Sequence, residues 1–230
     1  MKRLVSIGIG LALVAGACSD SAADTTTTSL PDPVAILAEA AVTMQQVDTL
    51  AYSIELSGDP ITVLGIEMQS AQGEYAAPDS SRAVLRAKLG GLTIELGTIA
   101  IGEVSWVTNP LTNQWNEYTG SRAFNPSIIF DPEQGWLPLL TRDISDARLV
   151  EPLEADTYVV RGTAAGSRVE VLTAGLVESQ PVALDIHIER ATGLVTLMDF
   201  ATQGENGRTR WLLELSDFGQ EVSISPPEVG

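Results

Sequence analysis

The chain carries one histidine, His187, and one cysteine, Cys18, against 30 acidic residues. That inventory bounds its chemistry. A serine hydrolase built on a nucleophile elbow needs G-x-S-x-G, and the motif is absent. Zinc prefers Cys and His ligands, and one of each is too few. An EF-hand calcium loop needs alternating acidic residues ahead of a glycine. No such loop is present, which leaves only a calcium site of scattered Asp and Glu open. His187 lies in a segment where Val182, Leu184, Ile186 and Ile188 alternate with Ala183, Asp185, His187 and Glu189. It shares the polar face with Asp185 and Glu189, a face that reads as solvated. Two carboxylates mean glycoside hydrolysis only when they flank a cleft. The residues therefore predict a protein that is not an enzyme, with no catalytic residue, no metal site and no cofactor.

Cys18 has a different setting. Met1-Lys2-Arg3 is basic, and Leu4 to Ala17 is an uncharged apolar run ending in Leu13-Val14-Ala15-Gly16-Ala17-Cys18. Crossing a bilayer takes about 20 apolar residues, so this run is too short for a span and reads as a secretion signal over residues 1–17. Small residues ahead of a cysteine resemble the lipobox of bacterial lipoproteins, with Ala15 a departure at a position usually held by Leu or a β-branched residue. The resemblance implies cleavage after Ala17, diacylglycerol on Cys18 and acylation of the new N-terminus; an ordinary signal peptide with an incidental cysteine is the alternative. Residues 18–31, with the run Thr25-Thr26-Thr27-Thr28, have almost nothing to bury and read as a lipidated flexible tether. The protein is expected outside the cytoplasm, held to the cell membrane by the lipidated cysteine.

Charge limits the partners. Formal net charge is −17, and loss of Lys2 and Arg3 takes it to −19. Such a surface repels nucleic-acid phosphates, so no nucleic acid partner is expected. With 44% apolar residues, residues 32–230 can bury a core without disulfides and are expected to form a single domain.

Within it, Asp32-Pro33 has the form of a helix start, an N-cap followed by proline at the first turn. Leu37, Ala40, Ala41, Met44 and Val47 then form one stripe, with the helix ending near Asp48. From Leu50 the period becomes two: Tyr52, Ile54 and Leu56, then Ile61 and Val63, Ile66 to Met68, Ala83 to Leu89, Leu92 to Ile101, Val104 to Val107, and Gln114 to Tyr118 as a hairpin partner. Successive short strands separated by polar turns predict an antiparallel meander. Phe130-Asp131-Pro132-Glu133-Gln134 has a second capping signature, predicting a short apolar helix through Trp136 to Leu140 that is interrupted near Gly135 and Pro138, with Ser127 to Phe130 as a further helical turn. Strands follow at 145–151 and 156–162, then a favoured helix at 167–174, and strands at 182–189, 194–200, 210–216 and 221–224.

The matching residues are Leu37, Ala41, Met44, Val47 and Thr49; Gly102-Glu103-Val104-Ser105-Trp106 with Pro110-Leu111-Thr112 and Trp115; Ile129-Phe130-Asp131-Pro132-Glu133-Gln134-Gly135; and Gly175-Leu176 with Pro181-Val182. On these the chain resembles the mycobacterial LppX/LprAFG lipoproteins from about Asp32 to Pro226. The resemblance implies an α+β, LolA-like fold: a strongly bent antiparallel sheet, a half-barrel, wrapping a few helices around an apolar cavity. It also implies carriage of acylated lipids or glycolipids across the envelope, with an envelope transporter as a possible partner.

Periodicity alone does not separate a filled core, the default, from a hollow one, although Ala83, Ala87, Gly97 and Ala100 in the middle strands are poor fillers. For a hollow core the expected lining is Ile54, Leu56, Met68, Leu85, Ala87, Ile94, Leu96, Leu184, Ile186 and Leu213 on the sheet. Leu37, Ala41 and Met44 would face them from the first helix. Ala87 would be the most sensitive position. Phe130, Asp131 and Trp136 are expected to border the cavity mouth, with Trp136 narrowing it. The alternative function is a lipid-anchored interaction subunit of an envelope complex with no ligand cavity.

Overall fold

A computed structural model describes residues 30–63, 65–120, 125–131, 135–204 and 207–228. The expectations for residues 1–29, Cys18 among them, lie outside the described residues. Helix α1 (Pro33–Met44) starts as the sequence predicts: the Asp32 carboxylate accepts from the Val34 N–H at 3.0 Å, and Pro33 opens the first turn. Its apolar stripe buries Ile36, Leu37, Ala40, Ala41 and Met44. It ends at Met44 rather than near Asp48, because the Gln45 N–H already closes on the Ala41 carbonyl and residues 47 and 48 leave the helix.

The strands run β1 (Thr49–Gly58), β2 (Ile61–Val63), β3 (Ile66–Ala76), β4 (Ser80–Leu89), β5 (Leu92–Ile101), β6 (Val104–Thr108) and β7 (Trp115–Thr119). After a 3-10 turn at Pro126–Ile129 and helix α2 (Leu137–Thr141) come β8 (Ile144–Leu149), β9 (Thr157–Ala164), helix α3 (Gly166–Leu172), β10 (Val182–Glu189), β11 (Val195–Gln203) and β12 (Arg208–Ser216). They form one antiparallel, open, curved sheet of 12 strands, ordered β7-β6-β5-β4-β3-β1-β12-β11-β10-β9-β8 with β2 beside β3. Two sequential meanders are thus joined where the first strand pairs with the last: Ile54 faces Leu213 and Leu56 faces Trp211. Register breaks between Met68 and Ser70, His187 and Ile188, and Ser145 and Arg148 add local bend and twist. The two-residue β4–β5 turn uses Gly90 and Gly91 at φ +56° and +86°, the left-handed pair that matches strand twist.

Three expectations change. β3 continues through Gln69 to Ala76, a stretch of polar and small residues that carries no hydrophobic alternation. Residues 221–224 are not a strand: β1 already has β3 and β12 on its two edges, so no ladder is left. The tail is held instead by the Gly219 N–H on the Thr49 carbonyl and the Thr49 hydroxyl on the Gln220 carbonyl. The insert, expected to break near both Gly135 and Pro138, breaks only before Leu137: α2 runs on through Pro138, and the Asp131 carbonyl accepts from Gly135 and Trp136 at 2.8 and 3.1 Å. Gln134, the other half of the capping box, lies outside the described residues.

The inner face of the sheet is covered unequally. α1 packs on α2 and β8, and the Val195 N–H lies 3.4 Å from the Met44 sulfur. These two helices fill the face of the second meander. Over the first meander, among the described residues, the 3-10 turn packs on β4 and α3 lies beside it.

Candidate functional site

Under that thin cover lies an apolar cavity of about 510 Å³. Its sheet side is built by Ile54 and Leu56 of β1, Met68 and Ala71 of β3, Leu85 of β4 and Leu96 of β5. Pro126 and Ile129 of the 3-10 turn cover it, with Leu172, Ala174 and Leu176 at the end of α3. Trp211 closes the side toward the second meander. Its indole donates to Thr202 Oγ1 at 3.0 Å and stacks on Phe200 at 5.8 Å with 4° between the planes. Ser105, Thr108, Asn116 and Tyr118 line the cavity from β6 and β7, so its polarity rises toward the sheet edge.

Side-chain size explains the space. The inner positions of β3 to β6 that line the cavity include Ala71, Ala83 and Ser105, too short to reach across. Gly73 has a positive role. A Cβ there would stand 2.5 Å from the Arg82 carbonyl oxygen and 2.7 Å from the Tyr52 ring, so glycine lets Tyr52 lie flat over the sheet. The Tyr52 ring meets Phe130 at 4.7 Å, Phe130 meets Tyr75 at 5.5 Å, and Phe130 meets Trp136 at 6.3 Å. This aromatic seam stands between the cavity and the packed core.

The electrostatics are those of a hydrocarbon site. No Asp, Glu, Lys, Arg or His is among the described residues that line it. Burial pushes the Tyr52 phenol well above its ordinary range, with Ser81 lowering it by a smaller amount. Burial also pushes Tyr75 up to about 12, with added repulsion from Asp131, Asp79 and Asp48, so both phenols are neutral, and Tyr75 donates to the Pro78 carbonyl at 3.2 Å. Among the described residues no group of three His, Cys, Asp or Glu side chains is placed to hold a metal ion. His187 lies half-buried on the outer face of β10, away from the cavity.

A family model for the LppX_LprAFG lipoproteins matches residues 32–224. The chain belongs to the LppX/LprAFG lipoprotein family. Its fold is shared with solved LppX/LprAFG proteins. LprF from Mycobacterium bovis superposes with a TM-score of 0.64 at 13% identity, covering 87% of this chain and 99% of LprF. LppX from Mycobacterium tuberculosis gives 0.59 at 15% identity, covering 86% and 100%. Comparison with curated protein sequences yields no match.

Within this LppX/LprAFG fold, Ile54, Leu56, Met68, Leu85 and Leu96 line the cavity. Leu37, Ala41, Met44, Leu184, Ile186 and Leu213 do not; they are buried in the core of the second meander, because α1 lies over that half. Ala87 is fully buried between Met68 and Ile94 across the strands rather than open to the cavity, and Ile94 stands near the β4–β5 turn, outside the lining. Phe130 and Trp136 border no opening: each is 1% exposed in the aromatic seam, while Asp131 is half-buried beside them. The sequence reading missed Trp211, which the alternation from Leu213 places on the same face. It also missed the Leu172–Leu176 cover and the polar positions of β6 and β7, which have no pattern of their own.

Proposed function

We propose that this protein is a lipid-anchored envelope carrier that holds acylated lipids or glycolipids in the cavity and helps move them across the cell envelope. Cys18 supplies the anchor, residues 18–31 the tether, and an envelope transporter the source or destination of cargo. The observation that carries the reading is an apolar cavity under half of the sheet with no charged side chain among the described residues that line it. Membership in a lipoprotein family supports the anchor, and among the described residues no helix is long and apolar enough to cross a membrane. The energetics agree. Burial is worth about 0.8 kcal/mol per CH₂, so a chain of about 16 carbons gains on the order of 13 kcal/mol gross. Immobilisation offsets part of that, and the remainder still keeps free acyl chains out of water. Hydrocarbon needs a lining and no convergent polar groups, which is what the site offers.

Organic-solvent extraction of the purified protein followed by mass spectrometry is expected to release a co-purified acyl lipid. Absence of any lipid, together with failure of the delipidated protein to take one up, would leave the interaction subunit as the reading. Cys18→Ala is expected to leave the protein uncleaved or released into the medium; a variant still cut after Ala17 and still bound to membranes would refute the anchor.

A further inference from the structure

Resting on the carrier reading, we infer that the tips of the β4–β5 and β6–β7 hairpins are a bilayer-docking rim, where Leu92 and Leu111 enter the uncharged interface of a lipid membrane beside the open end of the cavity. Burial falls along the strands. On the cavity face of β5, Leu96 is 6% exposed, Ile94 is half-buried and Leu92 is 72% exposed. On β1, Tyr52 is buried while Ile54 and Leu56 are half-buried. The cavity is thus closed at the aromatic seam and open toward the β4–β5 turn. The registers put the β6–β7 loop at that same end: Leu89 faces Leu92, Thr98 faces Val107, and Thr108 faces Trp115. Pro110 of this loop lines the cavity, and Leu111 beside it is 88% exposed. Exposed apolar residues scattered singly are ordinary. These two are the most exposed large apolar side chains among the described residues, and both stand at the mouth.

Charge argues for a bilayer as the occupant. The chain carries a net charge of −17, yet residues 89–94 and 104–116 contain no charged side chain. Lys88 and Glu95, which flank the first tip, lie on the strand face opposite Leu89, Leu92 and the cavity. A charge-free tip enters an interface without desolvating an ion, whereas a protein partner of so acidic a chain is steered by complementary charge, which these tips do not offer. The backbone is prepared for the same step. The Asn109 side chain accepts from the Leu111 and Thr112 N–H groups at 2.9 and 3.2 Å. The Asn109 N–H donates to the Gln114 carbonyl at 2.8 Å, and the Asn113 N–H to the Asn109 carbonyl at 2.9 Å. The loop therefore takes few unpaired donors out of water. Trp115, half-buried at the foot of this hairpin, is the residue type that settles at headgroup level. With the mouth against the membrane, an acyl chain passes into the cavity without crossing water.

The test uses the full chain, purified from membranes and reconstituted into dioleoylphosphatidylcholine vesicles. Thr112→Cys places a bimane label at the β6–β7 tip, and Glu103→Cys places one in the β5–β6 turn at the opposite end of the sheet; the parent chain treated with the same reagent is the blank. Phosphatidylcholine with nitroxide-labelled acyl chains is expected to quench bimane at 112 at least fivefold more than at 103. Adding Leu92→Ser and Leu111→Ser should bring quenching at 112 down to the level at 103, with the melting curve and the amount of co-purified lipid unchanged, since neither leucine lines the cavity. Equal quenching at the two positions, or none at 112, overturns the docking rim and leaves the carrier standing. Quenching that survives the double serine change also overturns it, because the leucines then do not hold the tips in the bilayer. If the double change abolishes lipid movement in cells while vesicles show no quenching at 112, the tips meet a protein, and the bilayer reading falls. Strong quenching at 112 in a protein that neither co-purifies with lipid nor takes any up keeps the rim and overturns the carrier.

Discussion

Two halves of one sheet are treated oppositely. Over β8 to β12 the inner face presents Leu184, Ile186, Ile188, Met198, Phe200 and Leu213, all buried against the helices or one another. Over β3 to β6 the same pleat presents Ala71, Ala83 and Ser105, and the space above them stays open. The strands pair alike in both halves. What differs is side-chain reach and helix placement: among the described residues, α1 and α2 lie on one half, and the 3-10 turn at Pro126–Ile129 with the end of α3 lies on the other. A sheet becomes a container where small residues on its inner face coincide with thin cover, and neither condition suffices alone. Ala87 shows this, being small yet fully buried between Met68 and Ile94.

The difference predicts how each half breaks. Leu184→Ala removes a fully buried side chain from the filled half and is expected to cost about 2–5 kcal/mol by urea unfolding. Leu85→Ala, next to space that is already empty, is expected to cost under about 2 kcal/mol, since fewer contacts are lost. Equal losses would mean that the cavity is closed in solution. Overpacking should reverse in the same way. Ala41→Leu, at a fully buried site, is expected to cost about 1–3 kcal/mol, whereas Leu85→Trp should leave stability within about 1 kcal/mol because it grows into the cavity.

The seam between the halves is tested by alkali. Tyr75 is raised from 10.0 to about 12, and Tyr52 is raised further. For a phenol whose folded pKa is above its unfolded one, the unfolded state releases its proton first. The contribution to stability is full below pH 10 and is lost as pH climbs through about 12. Unfolding midpoints should therefore fall from about pH 10 upward, and Tyr75→Phe should flatten that slope while leaving neutral-pH behaviour nearly unchanged. The smallest expected effect is at the N-cap: Asp32→Ala should cost about 1 kcal/mol, read as earlier melting of the half that α1 fills with no change in lipid retention.

Much of this was legible in the chain. Asp32-Pro33 and the stripe from Leu37 to Met44 specify α1, because capping and a 3.6-residue period are local properties. Alternation at Leu50 to Leu56, Ala83 to Leu89, and Val182 to Ile188 specifies strands and their two faces, since a strand's side chains alternate wherever it pairs. Other features needed the tertiary structure. β3 beyond Met68 is a strand only because β1 and β4 supply partners on both sides. The pairing of β1 with β12 joins residues more than 150 positions apart, and no local pattern encodes it. Which half is hollow was decided by where α1 came to rest. Leu37, Ala41 and Met44 form the same apolar stripe whether they cap a cavity or fill one, because hydrophobic burial is set by area and carries no direction.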